Sequence, residues 1–303
     1  MLVETAAPSI QVAETARGGL IRALRDAASL TKPRLSSLVV FTAAGGMWLA
    51  PGALDAAGAL LTLLAIALLV AAANATNCYL ERSVDALMTR TENRQLALLR
   101  LDPNAVIAAA SAGAVIAVAL LGFLTNVLTA GLGALAFASY VAAYTPLKRS
   151  SSLAVFVGAV PGAIPPLMGW TAITGRLDIA GLVLFAILFI WQVPHFIAIA
   201  FYRNDDYARG GFKTLPLVLT EDATKVVMVI FTLVLTPVAL SLVPLGVEGP
   251  HYALMAIVLG AGFLAVNLMG LAARASVKWA RASLHASLLY ITFLFIALGI
   301  GAR

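Results

Sequence analysis

The sequence predicts an all-α, polytopic membrane protein with nine transmembrane helices. Of its 303 residues, 61% are apolar and only 11% are charged, whereas soluble domains contain roughly 25% charged residues. The mean hydropathy is +0.97, and a soluble fold of this length cannot bury so much apolar surface. Cys78 is the single cysteine, which excludes a disulfide scaffold. The short alternating segments of an outer-membrane barrel are not seen in the sequence.

Eight charge-free runs define the candidate spans in chain order. A bilayer is crossed by about 20 apolar residues of helix, so seven runs fit one span each: 35–54, 56–80, 150–175, 179–202, 226–247, 249–273 and 282–302. The run 103–147 is about twice that length and fits two helices, with a turn near Thr125 and Asn126. We therefore divide the chain into a tail, residues 1–34, and one membrane domain, residues 35–303.

The basic residues lie almost entirely on one side of these nine spans. That side comprises the N-terminal tail and the loops after the even-numbered helices, and it holds all of the 20 Lys and Arg except Arg176 and Arg303. The positive-inside rule then places the N-terminus in the cytoplasm and the C-terminus outside. Because this asymmetry explains the net charge of +6, the charge does not indicate a nucleic-acid partner.

Two polar clusters lie on the predicted cytoplasmic side. In the first, Asn77, Glu81 and Asp85 follow one another at four-residue intervals near the end of the second helix. At about 100° per residue these side chains fall within an arc of about 80° on one helix face. The second cluster, with Asp205 and Asp206, follows the sixth helix. Both clusters therefore present oxygen ligands to the same membrane surface.

Oxygen ligands of this kind favour Mg²⁺, which is bound in proteins by a few carboxylates together with phosphate oxygens and water. Nearby basic side chains, such as Arg90 and Arg94, would add charge-assisted contacts to phosphates. Above an apolar helix bundle, this combination predicts ionisation of a prenyl diphosphate at the membrane boundary. A charge cluster where a helix leaves the membrane is often only a solvated end, and that alternative stays open for each loop taken alone.

Four stretches of the sequence resemble the UbiA-type intramembrane prenyltransferases. They are Asn77-x-x-x-Glu81-x-x-x-Asp85, Tyr144-Thr-Pro-Leu-Lys148-Arg149 with the Gly- and Pro-rich segment 158–170, Trp191-Gln-Val-Pro-His195, and Asp205-Asp206-Tyr207 up to Pro216. The acidic motif alone is weakly specific. The four stretches in this order, spread over about residues 30–300, resemble the branch of the family that prenylates haem.

The resemblance implies nine helices around a central cavity and a reaction that depends on Mg²⁺. The farnesyl group of farnesyl diphosphate would be transferred to a vinyl group of haem B, and water would capture the resulting cation to give haem O. The implied surroundings are membrane lipid in a bacterial inner membrane. The implied protein partners are haem A synthase or the terminal oxidase assembly.

The resemblance also implies three groups of site residues. The catalytic group is Asn77, Glu81, Asp85, Asp205 and Asp206, of which Asn77, Glu81, Asp85 and Asp206 would bind Mg²⁺. The residues that would bind the diphosphate are Arg90, Arg94, Tyr144, Lys148 and Arg149. The residues that would bind haem are His195, Trp191 and Gln192.

Simpler roles remain open for several of these residues. Lys148 and Arg149 fit the positive-inside pattern as membrane anchors. An ionisable residue within a span, such as His195, is a functional candidate, and imidazole is a common ligand of haem iron, but a hydrogen-bonded histidine of the bundle is the alternative. The segment 158–170 indicates either close helix packing or a broken helix.

The sequence also departs from the family pattern, and the departures keep other functions open. Glu81 stands where the family usually has Asp, and residues 95–99 lack the usual Pro and Gly, so this loop is either more helical or the activity is weakened. One alternative is therefore another UbiA-type prenyltransferase or a weakened paralogue. A cation-coupled transporter is a second alternative, although its acidic residues would lie near the middle of the membrane.

Overall fold

The structure is a computed structural model that describes residues 25–98, 100–272 and 276–301. Residues 1–24 of the predicted tail lie outside the described residues. The elements after it are α1 (Pro33–Leu49), α2 (Ala56–Asp85), α3 (Pro103–Leu124), α4 (Val127–Leu147), α5 (Ala154–Thr174), α6 (Ile179–Tyr202), α7 (Asn204–Arg209), α8 (Leu215–Val218), α9 (Glu221–Leu240), α10 (Pro250–Leu271) and α11 (Val277–Gly301). The predicted all-α membrane fold is confirmed.

Eight helices of the described chain are long and apolar enough to cross a membrane. They are α2 to α6 and α9 to α11. The first predicted span corresponds to α1, which has 17 residues. At 1.5 Å per residue α1 is about 26 Å long, somewhat less than the hydrocarbon thickness of about 30 Å. The count of nine spans therefore stays a prediction.

Side-chain caps fix where several of these helices begin. Asp55, Asp102, Asn126 and Asp178 each accept a hydrogen bond from a backbone N–H in the first turn of the helix that follows. Such caps satisfy donors that have no partner within the helix. Asn126, which accepts from the Thr129 amide at 2.9 Å, thereby forms the predicted turn between α3 and α4.

Helix α5 occupies the centre of the bundle and packs closely against α1. A Cβ atom at Gly169 would collide with the backbone carbonyl of Ala43, and one at Gly46 would collide with that of Pro166. The two helix backbones can approach only because glycine lacks Cβ. The helix is continuous over Ala154–Thr174 despite its internal prolines, so the close-packing interpretation of residues 158–170 is confirmed and the broken-helix alternative is wrong.

The outer surface of the bundle is apolar and its interior contains polar contacts. Val115 and Phe123 on α3 are 70% and 88% exposed, whereas buried Asn267 donates to Thr232 at 2.8 Å and accepts from Ser283 at 2.6 Å. These polar contacts join α10 to α9 and α11. Lipid as the outer solvent accounts for this distribution, because exposed apolar side chains cost nothing there and polar groups must find partners inside.

Candidate functional site

The acidic face of α2 lines a polar cavity at one end of the bundle. Asn77, Glu81 and Asp85 are only 1%, 8% and 1% exposed, and all three line this cavity. Four of the five residues predicted to bind the diphosphate line it as well: Arg90, Arg94, Tyr144 and Lys148. The four-residue spacing read from the sequence therefore does place these oxygen ligands on one side of the helix.

Each oxygen ligand on α2 is held by a basic side chain. Arg94 donates to both carboxylate oxygens of Asp85 at 2.8 and 2.7 Å, and Lys148 forms an ion pair with Glu81. Lys32 donates to the side-chain oxygen of Asn77 at 2.8 Å. Buried carboxylates require such partners, since desolvation of an unpaired charge is costly.

Lys32 belongs to the site although the sequence pattern indicated only a cytoplasmic anchor. It precedes Pro33 at the start of α1 and has a left-handed backbone with φ of 49°. Burial lowers the pKa of Lys32 to about 8, and the nearby Arg94 and Lys148 act in the same direction. The only signal in the sequence was its position immediately before the first span.

A π-helical segment in α4 places two tyrosines in the cavity wall. This segment, Ser139–Tyr144, has i→i+5 hydrogen bonding, which is rare and often found at functional sites. The rings of Tyr140 and Tyr144 lie 5.4 Å apart, and Lys148 Nζ lies 4.6 Å from the Tyr144 ring centroid. A Cβ at Gly158 would lie 2.5 Å from the Tyr144 ring, so glycine leaves the space that this ring occupies.

The loop after α2 is formed by turns and places Arg94 in contact with Asp85. Residues 86–98 contain no helix, so the expectation that the loss of Pro and Gly makes this loop more helical is wrong. Leu96 is 1% exposed and packs with Leu30 and Cys78. This apolar contact holds the loop against the bundle without the family's Pro and Gly.

The second acidic loop contributes less to the cavity than the sequence suggested. Asp206 is 7% exposed and is ion-paired with Arg209 and Arg203, while Asp205 is exposed. Neither carboxylate lines the cavity, nor does the exposed Arg149. Five other residues from this part of the chain do line it: Tyr207, Phe212, Lys213, Thr214 and Leu215.

A second, apolar cavity adjoins the first within the helix bundle. Its walls include Ile66, Leu69, Pro165 and Met168, together with the predicted residues Trp191 and Gln192. Five side chains line both cavities: Leu35, Tyr140, Tyr144, His195 and Phe196. A molecule with a charged head and an apolar tail could therefore occupy both spaces at once.

His195 lies where the two cavities meet. Its Nδ1 atom is 2.7 Å from the hydroxyl oxygen of Ser287 on α11, and its ring stacks on Trp191 with centroids 4.7 Å apart. Trp191 Nε1 donates to the backbone oxygen of the same serine at 2.7 Å. Sequence reasoning missed Ser287, because no motif marks it and 92 residues separate it from His195.

The donor set on α2 suits Mg²⁺ in particular. No group of three or more His, Cys, Asp or Glu side chains converges as a metal site within the described ranges 25–98, 100–272 and 276–301. The amide and two carboxylates of Asn77, Glu81 and Asp85 are hard oxygen ligands. Mg²⁺ commonly takes only one or two protein carboxylates and completes its octahedron with phosphate oxygens and water, so these residues fit that ion.

Comparison with known proteins identifies the fold and the family. The UbiA prenyltransferase family matches residues 38–298. The chain belongs to the UbiA prenyltransferase family. This UbiA prenyltransferase is 50% identical to the protoheme IX farnesyltransferase of Anaeromyxobacter dehalogenans (strain 2CP-C), over 91% of this chain and 93% of the relative. It is 48% identical to the protein of the same name from Myxococcus xanthus (strain DK1622), over 91% and 94%.

Solved structures of similar fold are more distant in sequence. A digeranylgeranylglyceryl phosphate synthase aligns with a TM-score of 0.78 and 13% identity, over 92% of this UbiA prenyltransferase and 98% of that chain. A UbiA homolog from Archaeoglobus fulgidus bound to GPP and Mg²⁺ aligns with a TM-score of 0.65 and 15% identity, over 90% and 99%. These likenesses show the fold. The family match over residues 38–298 and the relatives at 50% and 48% identity confirm the predicted membership of the UbiA family.

Proposed function

We propose that this protein transfers the farnesyl group of farnesyl diphosphate to a vinyl group of haem B and so makes haem O. The relatives at 50% and 48% identity are named protoheme IX farnesyltransferases, which confirms the function predicted from the sequence. In the structure, the proposal rests on one observation: a polar cavity with oxygen and basic ligands joins an apolar cavity at His195. A diphosphate, its isoprenoid chain and a porphyrin require such adjoining spaces.

The polar cavity is proposed to hold the diphosphate. Arg90, Arg94 and Lys148 line it and are suited to charge-assisted hydrogen bonds with phosphate oxygens. Asn77, Glu81 and Asp85 would hold Mg²⁺. When bound, Mg²⁺ neutralises charge on the departing diphosphate. The Archaeoglobus fulgidus homolog of similar fold is bound to GPP and Mg²⁺.

The second loop keeps a proposed, less direct role. Its backbone is joined to the cavity, since the Lys213 amide donates to the Lys148 carbonyl at 2.9 Å. Asp206 is proposed as a further Mg²⁺ ligand, and Asp205 beside it as part of the same catalytic group. This backbone contact and the resemblance support both assignments. The exposed position of Arg149 supports its alternative role as a membrane anchor.

The ion pairs in the cavity support a proposed coupling between the binding of Mg²⁺ and the binding of diphosphate. Arg94 and Lys148 neutralise Asp85 and Glu81 in the structure, and these bases can exchange their carboxylates for phosphate oxygens. We therefore expect Mg²⁺ alone to bind weakly and to bind at least ten-fold more tightly with a non-hydrolysable prenyl diphosphate analogue, a coupling of about 1.4 kcal/mol. Calorimetric titration in each order measures this coupling, and equal Mg²⁺ affinities would contradict it.

In the proposed reaction the chain supplies geometry and charge, not a nucleophile. The C–O bond between farnesyl and diphosphate breaks, the vinyl carbon forms the new C–C bond, and water adds to the remaining cation with loss of a proton. The apolar walls of the second cavity would limit the access of stray water to the allylic cation. His195 would hold the haem, with Trp191 and Gln192 forming part of the same wall.

The membrane setting of the proposal follows the charge pattern. We place the N-terminus and both acidic loops in the cytoplasm of a bacterial cell and the protein in its inner membrane. Haem A synthase or the terminal oxidase assembly are the proposed protein partners, because either would take up the haem O that this reaction forms.

Pigment analysis in a strain that lacks haem O tests the reaction. Expression of the chain should restore haem O, identified by mass. An Asp85→Ala variant should not restore it, whereas Glu92→Ala should, because Glu92 is an exposed acid of the same loop that lies outside the cavity. If the chain restores no haem O but prenylates another acceptor, the proposed substrate is refuted and a different UbiA activity is indicated.

A further inference from the structure

The hydroxyl group of Ser287 has two partners at hydrogen-bond distance. Its oxygen lies 2.7 Å from the backbone carbonyl of Leu284, in the same helix, and 2.7 Å from His195 Nδ1. A carbonyl oxygen can only accept. When the single hydroxyl proton is donated to Leu284, the serine oxygen is left to accept from His195 Nδ1.

This arrangement of donor and acceptors favours one tautomer of His195, the one protonated at Nδ1. A neutral imidazole carries one proton, so protonation at Nδ1 leaves Nε2 with a free lone pair. Within the described parts of the chain, Nε2 has no hydrogen-bond partner, and the ring lines both cavities. The atom able to act as a ligand is therefore the one available to the space where the cavities meet.

The same serine also fixes the orientation of the ring. Its backbone oxygen accepts from Trp191 Nε1 at 2.7 Å, and Trp191 stacks on His195 at 4.7 Å between centroids with an interplanar angle of 26°. Ser287 is fully buried, at 0% exposure. One residue of α11 thus holds both the edge of the imidazole and the ring that covers its face.

We infer that Ser287 is a positioning residue that holds His195 as the Nδ1–H tautomer and presents Nε2 as a ligand to haem iron. The inference rests on the haem-binding role of His195 in the proposed function. Histidines that bind metals usually donate their other ring N–H to a hydrogen-bond acceptor, and loss of that acceptor typically lowers metal affinity about 10- to 100-fold. Here the acceptor is a serine hydroxyl.

Nitrogen-15 NMR of labelled histidine tests the tautomer without haem. The chain has three histidines, and His251 and His285 are exposed, so replacing both with glutamine leaves the signal of His195 alone. The expected spectrum shows a protonated Nδ1 and an unprotonated Nε2. A protonated Nε2 in the otherwise native protein would overturn the inference.

Haem titration by absorbance tests the positioning role. Ser287→Ala should weaken haem binding about ten-fold, and Ser287→Thr, which keeps the hydroxyl, should restore most of it. Ser283→Ala is the matched control, because Ser283 is equally buried on α11 but bonds to Asn267. Binding of a prenyl diphosphate analogue should be equal in all these variants, which also shows that they are folded.

The same titration separates two kinds of failure. If His195→Ala binds haem with unchanged affinity and spectrum, the ligand role of His195 in the proposed function is refuted and the purpose inferred for Ser287 falls with it. If His195→Ala binds haem weakly while Ser287→Ala binds it as the native protein does, the ligand role stands and the positioning role of Ser287 is refuted.

Discussion

Replacing Asp85 with alanine removes one partner of a buried ion pair and a proposed metal ligand in a single step. The Asp85 side chain is 2% exposed, and Arg94, which it binds through two contacts, is 22% exposed. Breaking a buried pair from one side costs about 3–5 kcal/mol of unfolding free energy. Because Arg94 keeps some contact with water, we expect a loss near the lower limit, about 3 kcal/mol.

The stability effect and the catalytic effect of Asp85→Ala can be separated. The double variant Asp85→Ala/Arg94→Ala leaves no unpaired charge, so it should recover much of the unfolding free energy. It should recover no turnover, because the proposed ligand and the phosphate contact are both lost. Denaturant unfolding in detergent measures the first quantity and formation of haem O measures the second. Full turnover of Asp85→Ala with unchanged dependence on Mg²⁺ would refute the metal assignment.

Three further changes test the site, the packing and the topology. Glu81→Asp should keep or raise haem O formation, because it restores the family's shorter ligand; a complete loss would show that the longer side chain is needed. Gly169→Ala should lower the unfolding free energy by about 1–3 kcal/mol, since its Cβ would collide with the backbone carbonyl of Ala43, whereas Gly131→Ala, with open space around it, should not lower it. A reporter fused after Arg94 should read cytoplasmic, and a periplasmic signal would contradict the charge rule.

The spans and the acidic face were predictable from the sequence because both depend on neighbours along the chain. Hydropathy is a local sum, and charge-free runs such as 179–202 coincide with helices such as Ile179–Tyr202. Helical periodicity places residues 77, 81 and 85 on one side without knowledge of any other helix. The resemblance added the reaction, since spacing alone cannot identify haem as the acceptor.

Contacts between distant parts of the chain were decided only by the tertiary structure. Lys32 meets Asn77 across 45 residues and Ser287 meets His195 across 92. Hydropathy and periodicity describe one helix at a time and contain no information about which faces of two helices meet. The sequence therefore determined the spans and one side of the polar cavity, whereas helix packing decided which bases neutralise its acids and which serine holds the histidine.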